Sequence, residues 1–199
     1  MNSVGTQEDL RVRRTRKLLW EALMAELGEW SFEEISVKDI CERAMVHRTT
    51  FYKHYEDKYA LLEQGMREMY AALLIPEEHL PPSAFSLDQP PPYFIRLFEH
   101  AAEHQGFYRA MLCGEGVGQF QQLIKGYLAE VAESGVHGYA HADRRASRGA
   151  DFPLAMHVQF FVGGALSLMA WWLENGMPYT PRQMAQYLLS EHGSVSLHA

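Results

Sequence analysis

Apolar residues recur along most of this chain at helical rather than alternating spacing. Val12, Leu19 and Leu23 share one face of a helix predicted from about residue 9 to Leu27, with Gly28 as its stop and Arg13, Arg14 and Lys17 opposite. Ser36 stands three residues before Asp39 at the head of VKDICERA. That is a capping-box spacing with Asp in place of Glu or Gln, and Ile40 and Ala44 repeat inward at i, i+4. Met45-Val46-His47 breaks the pattern before RTTFYKHY. Glu56 or Asp57 then opens a long helix striped by Leu62, Met66, Met69 and Leu73.

The same reading continues beyond residue 90. Phe94, Leu97, Phe98 and Ala101 mark one helix and Phe107 to Leu112 a short one, while Val117, Phe120, Ile124, Tyr127 and Val131 mark a seventh. An eighth is predicted from about Pro153 to Asn175-Gly176, and a last one from Pro181 with Met184, Tyr187 and Leu188 as its apolar residues. No stretch alternates long enough for a half-buried strand, so the expected fold is all-α with about nine helices. Six of the nine prolines lie between Pro76 and Pro92, which makes residues 76–92 a linker or surface loop. Residues 134–151 read as a second loop, with Gly135, Gly138 and Gly149. Residues 1–58 are expected to form a small head, and residues 59–199 a larger helical domain.

Composition narrows the class. The 199 residues are 47% hydrophobic and 22% charged, too apolar for disorder and enough for one sizeable core or two small ones. Cys41 and Cys113 stand far apart and build no disulfide framework, and no secretory apolar stretch occurs in the first thirty residues, so a cytoplasmic setting is expected. The formal net charge of −7 argues against nucleic acid until it is divided. Residues 1–60 hold 10 Lys+Arg against 11 Asp+Glu, and five of those bases crowd into Arg11–Lys17, whereas residues 61–199 hold 8 against 14. A near-neutral head with a basic edge is compatible with phosphate binding.

Two short helices joined by a tight turn, the second rich in Arg, Thr, Tyr, Lys and His, describe a helix-turn-helix. With Phe51 turned inward, Thr49, Tyr52 and Lys53 project to the opposite side and Arg48 and Thr50 flank them. Arg48, Thr49 and Lys53 suit base edges, while Tyr52, His54 and the Arg13–Lys17 edge suit phosphates. Lys58 opens the next helix, where its ammonium and the helix N-terminus together could hold a phosphate. The expected DNA-contacting set is Arg13, Arg14, Lys17, Lys38, Arg48, Thr49, Thr50, Tyr52, Lys53, His54 and Lys58.

These residues also resemble a known family. SVKDICERAMVHRTTFYKHYEDKYALL is similar to the DNA-binding signature of the tetracycline-repressor (TetR/AcrR) regulators, matching at Ile40, Ala44, Val46, Phe51, Tyr52, His54, Tyr55, Asp57, Lys58 and Leu61. Two positions depart from it. Met45 stands where the family has glycine in the turn; a left-handed backbone there would cost about 1–2 kcal/mol. His47 takes the usual Ser/Thr N-cap, a weaker cap.

GFYRAML and FFVGGALSLMAWWLENGMPYTPRQMA resemble a C-terminal domain of the same family, the type also seen in an activator of dihydroxyacetone kinase. The resemblance implies a DNA-binding regulator whose C-terminal domain receives a small effector and pairs with a second copy through its last two helices. That assigns Phe161, Gly164, Leu168, Trp172 and Tyr187 to a homodimer interface, and implies a quasi-palindromic double-stranded operator with repression as the expected mode. Phe94, Phe98, Phe107, Met111, Phe120, Tyr127, Met156 and Phe160 are the candidate lining of an apolar or aromatic effector site.

Other chemistry is weaker. Phe152–Leu173 lacks Asp, Glu, Lys and Arg, but His157, Gln159, Gly163, Gly164 and Ser167 dilute it, so an interface helix is expected rather than a membrane span. His100/His104 and His137/His141 have helical metal-ligand spacing without a further ligand signature, so no metal or cofactor is expected. Gly114–Gly118 follows no strand and reads as a turn, and no nucleophile–base arrangement marks an enzyme. The competing reading is a co-regulator of the same fold acting through a protein partner, which a gel shift on DNA flanking its own gene would separate from a DNA-reading regulator.

Overall fold

The computed structural model describes residues 3–74, 89–113, 117–133 and 154–193, and every regular element among them is an α-helix. In chain order these are α1 (Ser3–Glu26), α2 (Val37–Ala44), α3 (Arg48–Phe51) and α4 (Lys58–Leu73), then α5 (Pro92–Glu103), α6 (Gln105–Leu112), α7 (Val117–Glu133), α8 (Leu154–Glu174) and α9 (Pro181–Gly193). The 134–151 loop, most of the proline segment, Pro153, His137, His141 and Gly114 lie outside the described residues. α1 begins at Ser3 rather than near residue 9. Its first turns are polar and lack the apolar stripe that marks the rest, but extending a formed helix costs little.

Sequence punctuation sets the remaining boundaries. Pro92 occupies the first turn of α5, where its missing N–H costs no hydrogen bond. α8 closes through Gly176 at φ 76, with the Met177 N–H donating to Trp172 O at 2.8 Å and the Gly176 N–H to Leu173 O at 3.2 Å. α2 closes in the same manner, the Val46 N–H reaching Cys41 O at 3.0 Å and the Met45 N–H reaching Glu42 O at 3.2 Å. Met45 therefore sits at φ 52, ψ 40, a left-handed conformation that glycine adopts without penalty, and its side chain is 93% exposed. Met45→Gly is expected to stabilise the protein by about 0.5–1 kcal/mol, the relieved strain exceeding the extra freedom given to the unfolded chain. A thermal melt that moves down instead would refute this.

α1, α2 and α3 pack as the head, and α4 runs from it into the second layer. There α5 packs against α9, while α6 and α7 pack against α8. The buried residues form one cluster from Leu19 to Leu188. Two glycines allow the head to sit this close. A Cβ on Gly65 of α4 would lie 2.0 Å from the Trp20 ring, and one on Gly106 of α6 would lie 2.6 Å from Gly28 Cα. Trp20 also meets Phe107 of α6 edge-on at 5.7 Å, so one α1 side chain touches both α4 and α6. Among the described residues no helix is long and apolar enough to cross a membrane.

Candidate nucleic-acid interface

The head is assembled around α3, a single turn that cannot hold its shape alone. α2 starts at a complete capping box: the Asp39 N–H donates to Ser36 Oγ at 3.3 Å, and the Ser36 N–H donates to Asp39 Oδ2 at 2.9 Å. The Ser36 hydroxyl, which also donates to Asp39 Oδ2, and then the Ser36 N–H hold the Asp39 carboxyl below its ordinary value. Arg43 then clamps α2 to α1, its Nε 2.6 Å from Glu26 and its Nη2 2.7 Å from Glu29. Glu26 is buried, so this fork satisfies a charge that would otherwise be costly there.

His47 caps α3. Its Nδ1 accepts from the Thr49 N–H at 3.3 Å and lies 2.8 Å from Thr49 Oγ1. Phe51 is fully buried, edge-on to Tyr52 at 5.4 Å and tilted against Tyr55 at 5.8 Å. With Phe51 inward, Arg48, Thr49, Tyr52 and Lys53 are exposed together on the outer side and Thr50 is half-buried beside them. This one face carries the donors and acceptors that base edges and phosphates require.

His54 is half-buried; burial first, and then the charges of Arg16 and Lys53, push its imidazole below the ordinary value. Neutral His54 can offer a phosphate a hydrogen bond but no charge. Arg13, Arg14 and Lys17 are exposed on α1, Lys17 lying 3.6 Å from Glu21, and Lys38 is exposed on α2 at 3.6 Å from Glu42. Such surface pairs are weak, so both lysines can be recruited by a stronger anion.

Lys58 corrects the sequence reading. Its ammonium donates to three backbone carbonyls, Phe32 O at 2.7 Å, Ile35 O at 2.9 Å and Glu33 O at 3.2 Å, and lies 4.7 Å from the centre of the Phe32 ring. All three donors are committed to the α1–α2 connection, so Lys58 staples the head instead of reaching for a phosphate. Lys58→Met is expected to cost about 1–3 kcal/mol of stability, since charged donors are lost and carbonyls are left partly buried. Under conditions where the variant stays folded, the slope of log affinity against log salt should be unchanged, whereas each lost phosphate contact lowers it by about 0.9. A flattened slope would restore the phosphate role.

The effector candidates separate into groups. Phe94, Phe98, Phe107, Met111 and Phe120 are buried in the packed core, Phe98 against Trp172 at 5.5 Å and Phe107 against Phe120 at 6.0 Å. Met156 and Phe160 do not join them but are exposed on the outside of α8. Tyr127 lines a small cleft between α4 and α7 with Glu63, Met66, Arg67, Tyr70, Leu123 and Ile124. Arg67 closes one side of it with a two-pronged pair to Glu130, at 2.5 and 3.1 Å.

Tyr70 continues inward through a hydrogen bond to the equally buried Tyr108, whose hydroxyl lies 3.0 Å from His100 Nδ1. Burial, and the neighbouring His104, hold His100 down to about 4. This buried polar chain carries no sequence signal, because its members come from three separate helices. Among the described residues no group of three or more His, Cys, Asp or Glu side chains converges.

The interface candidates also rearrange. Trp172 is 1% exposed and donates its indole N–H to Tyr179 O at 2.8 Å; it is a core residue, not an interface residue. Phe161 and Leu168 are half-buried, Phe161 against Phe94 at 5.5 Å. The outer stripe of α8 runs Met156, Phe160, Gly164, Ser167, Trp171, all exposed and spaced three or four apart. Trp171 stacks on Tyr179, which meets Tyr187 edge-on at 5.2 Å.

Comparison with known proteins follows the same division. Residues 19–64 match the family model described as bacterial regulatory proteins, tetR family, and residues 88–190 match one described as transcriptional regulator C-terminal region. An uncharacterized HTH-type transcriptional regulator, YxbF of Bacillus subtilis (strain 168), is 34% identical over 88 residues, a match covering 42% of this chain and 22% of that protein. Among solved structures, a TetR transcriptional regulator from Streptococcus agalactiae 2603V is similar with a TM-score of 0.63 at 19% identity, covering 96% of this chain and 99% of the other. The dihydroxyacetone kinase operon activator DhaS is similar with a TM-score of 0.60 at 14% identity, covering 89% and 93%. Both structural likenesses are likenesses of fold.

Proposed function

The chain belongs to the TetR family of bacterial transcriptional regulators, and from that membership we propose that it is a homodimeric repressor, released from a quasi-palindromic operator by a small apolar or aromatic effector. The observation that carries the DNA-reading part is the outer side of α3 and the turn that follows it, where Arg48, Thr49, Tyr52 and Lys53 stand exposed around a buried Phe51. Four residues of recognition helix on a near-neutral head give little affinity alone, so two heads held at half-site spacing supply it together.

The outer stripe of α8 supports the pairing. A Cβ on Gly163 or Gly164 would meet nothing within 4 Å, so the middle of the stripe admits a close neighbour, with Phe160 and Trp171 as apolar anchors on either side. Release requires an effector that binds the spread-headed state more tightly than the DNA-bound one, with a coupling of about 1–3 kcal/mol. The cleft between α4 and α7 has room for about one water as it stands, so an effector entering there would have to displace α4, the helix that Lys58 staples to the head.

Fluorescence anisotropy on DNA flanking the protein's own gene tests the reading. Saturable binding that outlasts a large excess of random duplex, and that falls at least tenfold in Lys53→Ala with an unchanged melt, is the expected result. Binding no tighter to this DNA than to random duplex, with a protein co-purifying instead, would replace the repressor by a co-regulator.

A further inference from the structure

We propose that His47 locks the Thr49 hydroxyl as a hydrogen-bond acceptor in the major groove, so that the base beneath Thr49 is read by its exocyclic amine, adenine N6 or cytosine N4. The assignment rests on the DNA-reading role proposed above. Its starting point is the arrangement at the cap, where one ring nitrogen, His47 Nδ1, faces two groups of the same residue: the Thr49 N–H at 3.3 Å and Thr49 Oγ1 at 2.8 Å. A backbone N–H can only donate, so Nδ1 is the acceptor and carries no proton. With Nδ1 unprotonated, the 2.8 Å approach of Oγ1 is attractive only if the hydroxyl hydrogen lies between the two atoms. The cap therefore fixes both the tautomer of His47 and the rotor of Thr49.

That fixation removes an ambiguity. A free threonine hydroxyl donates or accepts, and so tolerates either kind of base edge. Here its one proton is spent inside the protein, which leaves two lone pairs on an exposed side chain. Guanine O6 and N7 and thymine O4 are acceptors and would meet those lone pairs unfavourably, while the amines of adenine and cytosine would donate to them. Every base pair has one amino and one keto partner in the major groove, so this contact reads which strand carries which. Sequence reasoning ranks histidine as a poor cap and misses this role, because it counts the cap's strength and not the polarity it imposes on its neighbour.

The test begins with half-sites selected from random duplex by the full chain. Each adenine is then replaced by purine and each cytosine by 2-pyrimidinone, analogues that lack the exocyclic amine. For the wild type, one position per half-site should lose about five- to tenfold in affinity, about the effect of one good hydrogen bond. Thr49→Val, which keeps the shape and removes the hydroxyl, should bind the two duplexes equally. His47→Ala frees the rotor and should reduce the ratio below about twofold, and His47→Asn, whose Oδ1 can accept in place of Nδ1, should restore it.

The readout is a ratio between two duplexes for one protein, so a weakened cap that lowers both affinities cancels. A ratio that persists in His47→Ala, or the lack of any amine-dependent position in a selected half-site, overturns the proposal while leaving the repressor reading intact. Failure of the wild type to select any sequence overturns both.

Discussion

Phe51→Ala is expected to cost about 3–5 kcal/mol and to abolish operator binding. Phe51 is fully buried, the single buried residue of α3, and its ring packs against Tyr52 and Tyr55. A four-residue turn gains almost nothing from helix propagation, so its orientation comes from that one anchor and from the His47 cap. Removing the ring leaves a cavity under Arg48, Thr49, Tyr52 and Lys53, the groups that must hold a fixed geometry over the groove. Phe51→Leu, which fills most of the space, should lose less than about 1.5 kcal/mol and keep measurable binding. Melts followed by circular dichroism and by binding anisotropy would check this. An alanine variant that melts within about 1 kcal/mol of wild type and still selects its operator would show that α3 is held by something else.

Parts of this arrangement are legible in the sequence because their causes are local. The Ser36–Asp39 box, the Gly176 stop of α8 and the Pro181 start of α9 each arise from residues within one turn of one another, whereas the left-handed Met45 is legible only through the glycine that the family has there. The Lys58 staple is not legible for the opposite reason. Its three carbonyl partners lie 23 to 26 residues earlier, and backbone carbonyls have no residue type to betray them. The Tyr70–Tyr108–His100 chain is hidden in the same way across α4, α6 and α5.

α8 shows a different limit. Periodicity reveals which residues share a face only when the other faces are polar, and this helix is apolar nearly all round. Residue pattern could not say which side of α8 meets the bundle, which is why Trp172, Met156 and Phe160 sit on the sides opposite to those expected.

Two adjacent tryptophans make that distinction measurable. Trp172→Ala is expected to cost about 3–5 kcal/mol, because its ring is 1% exposed, packs edge-on against Phe98 at 5.5 Å and anchors the turn after α8 through Tyr179 O. Part of that loss is the stranded Tyr179 carbonyl, so Trp172→Phe should recover the packing but not the bond, and fall between the two. Trp171, one residue earlier, points about 100° away and is 45% exposed. Trp171→Ala should leave the stability of the isolated chain within about 0.5 kcal/mol. If the α8 stripe pairs two copies, it should also weaken dimerisation at least tenfold by sedimentation and make the melting temperature depend more steeply on protein concentration. A Trp171→Ala protein that sediments as the wild type would move the interface off this stripe, while a Trp172→Ala protein with an unchanged melt would remove Trp172 from the core.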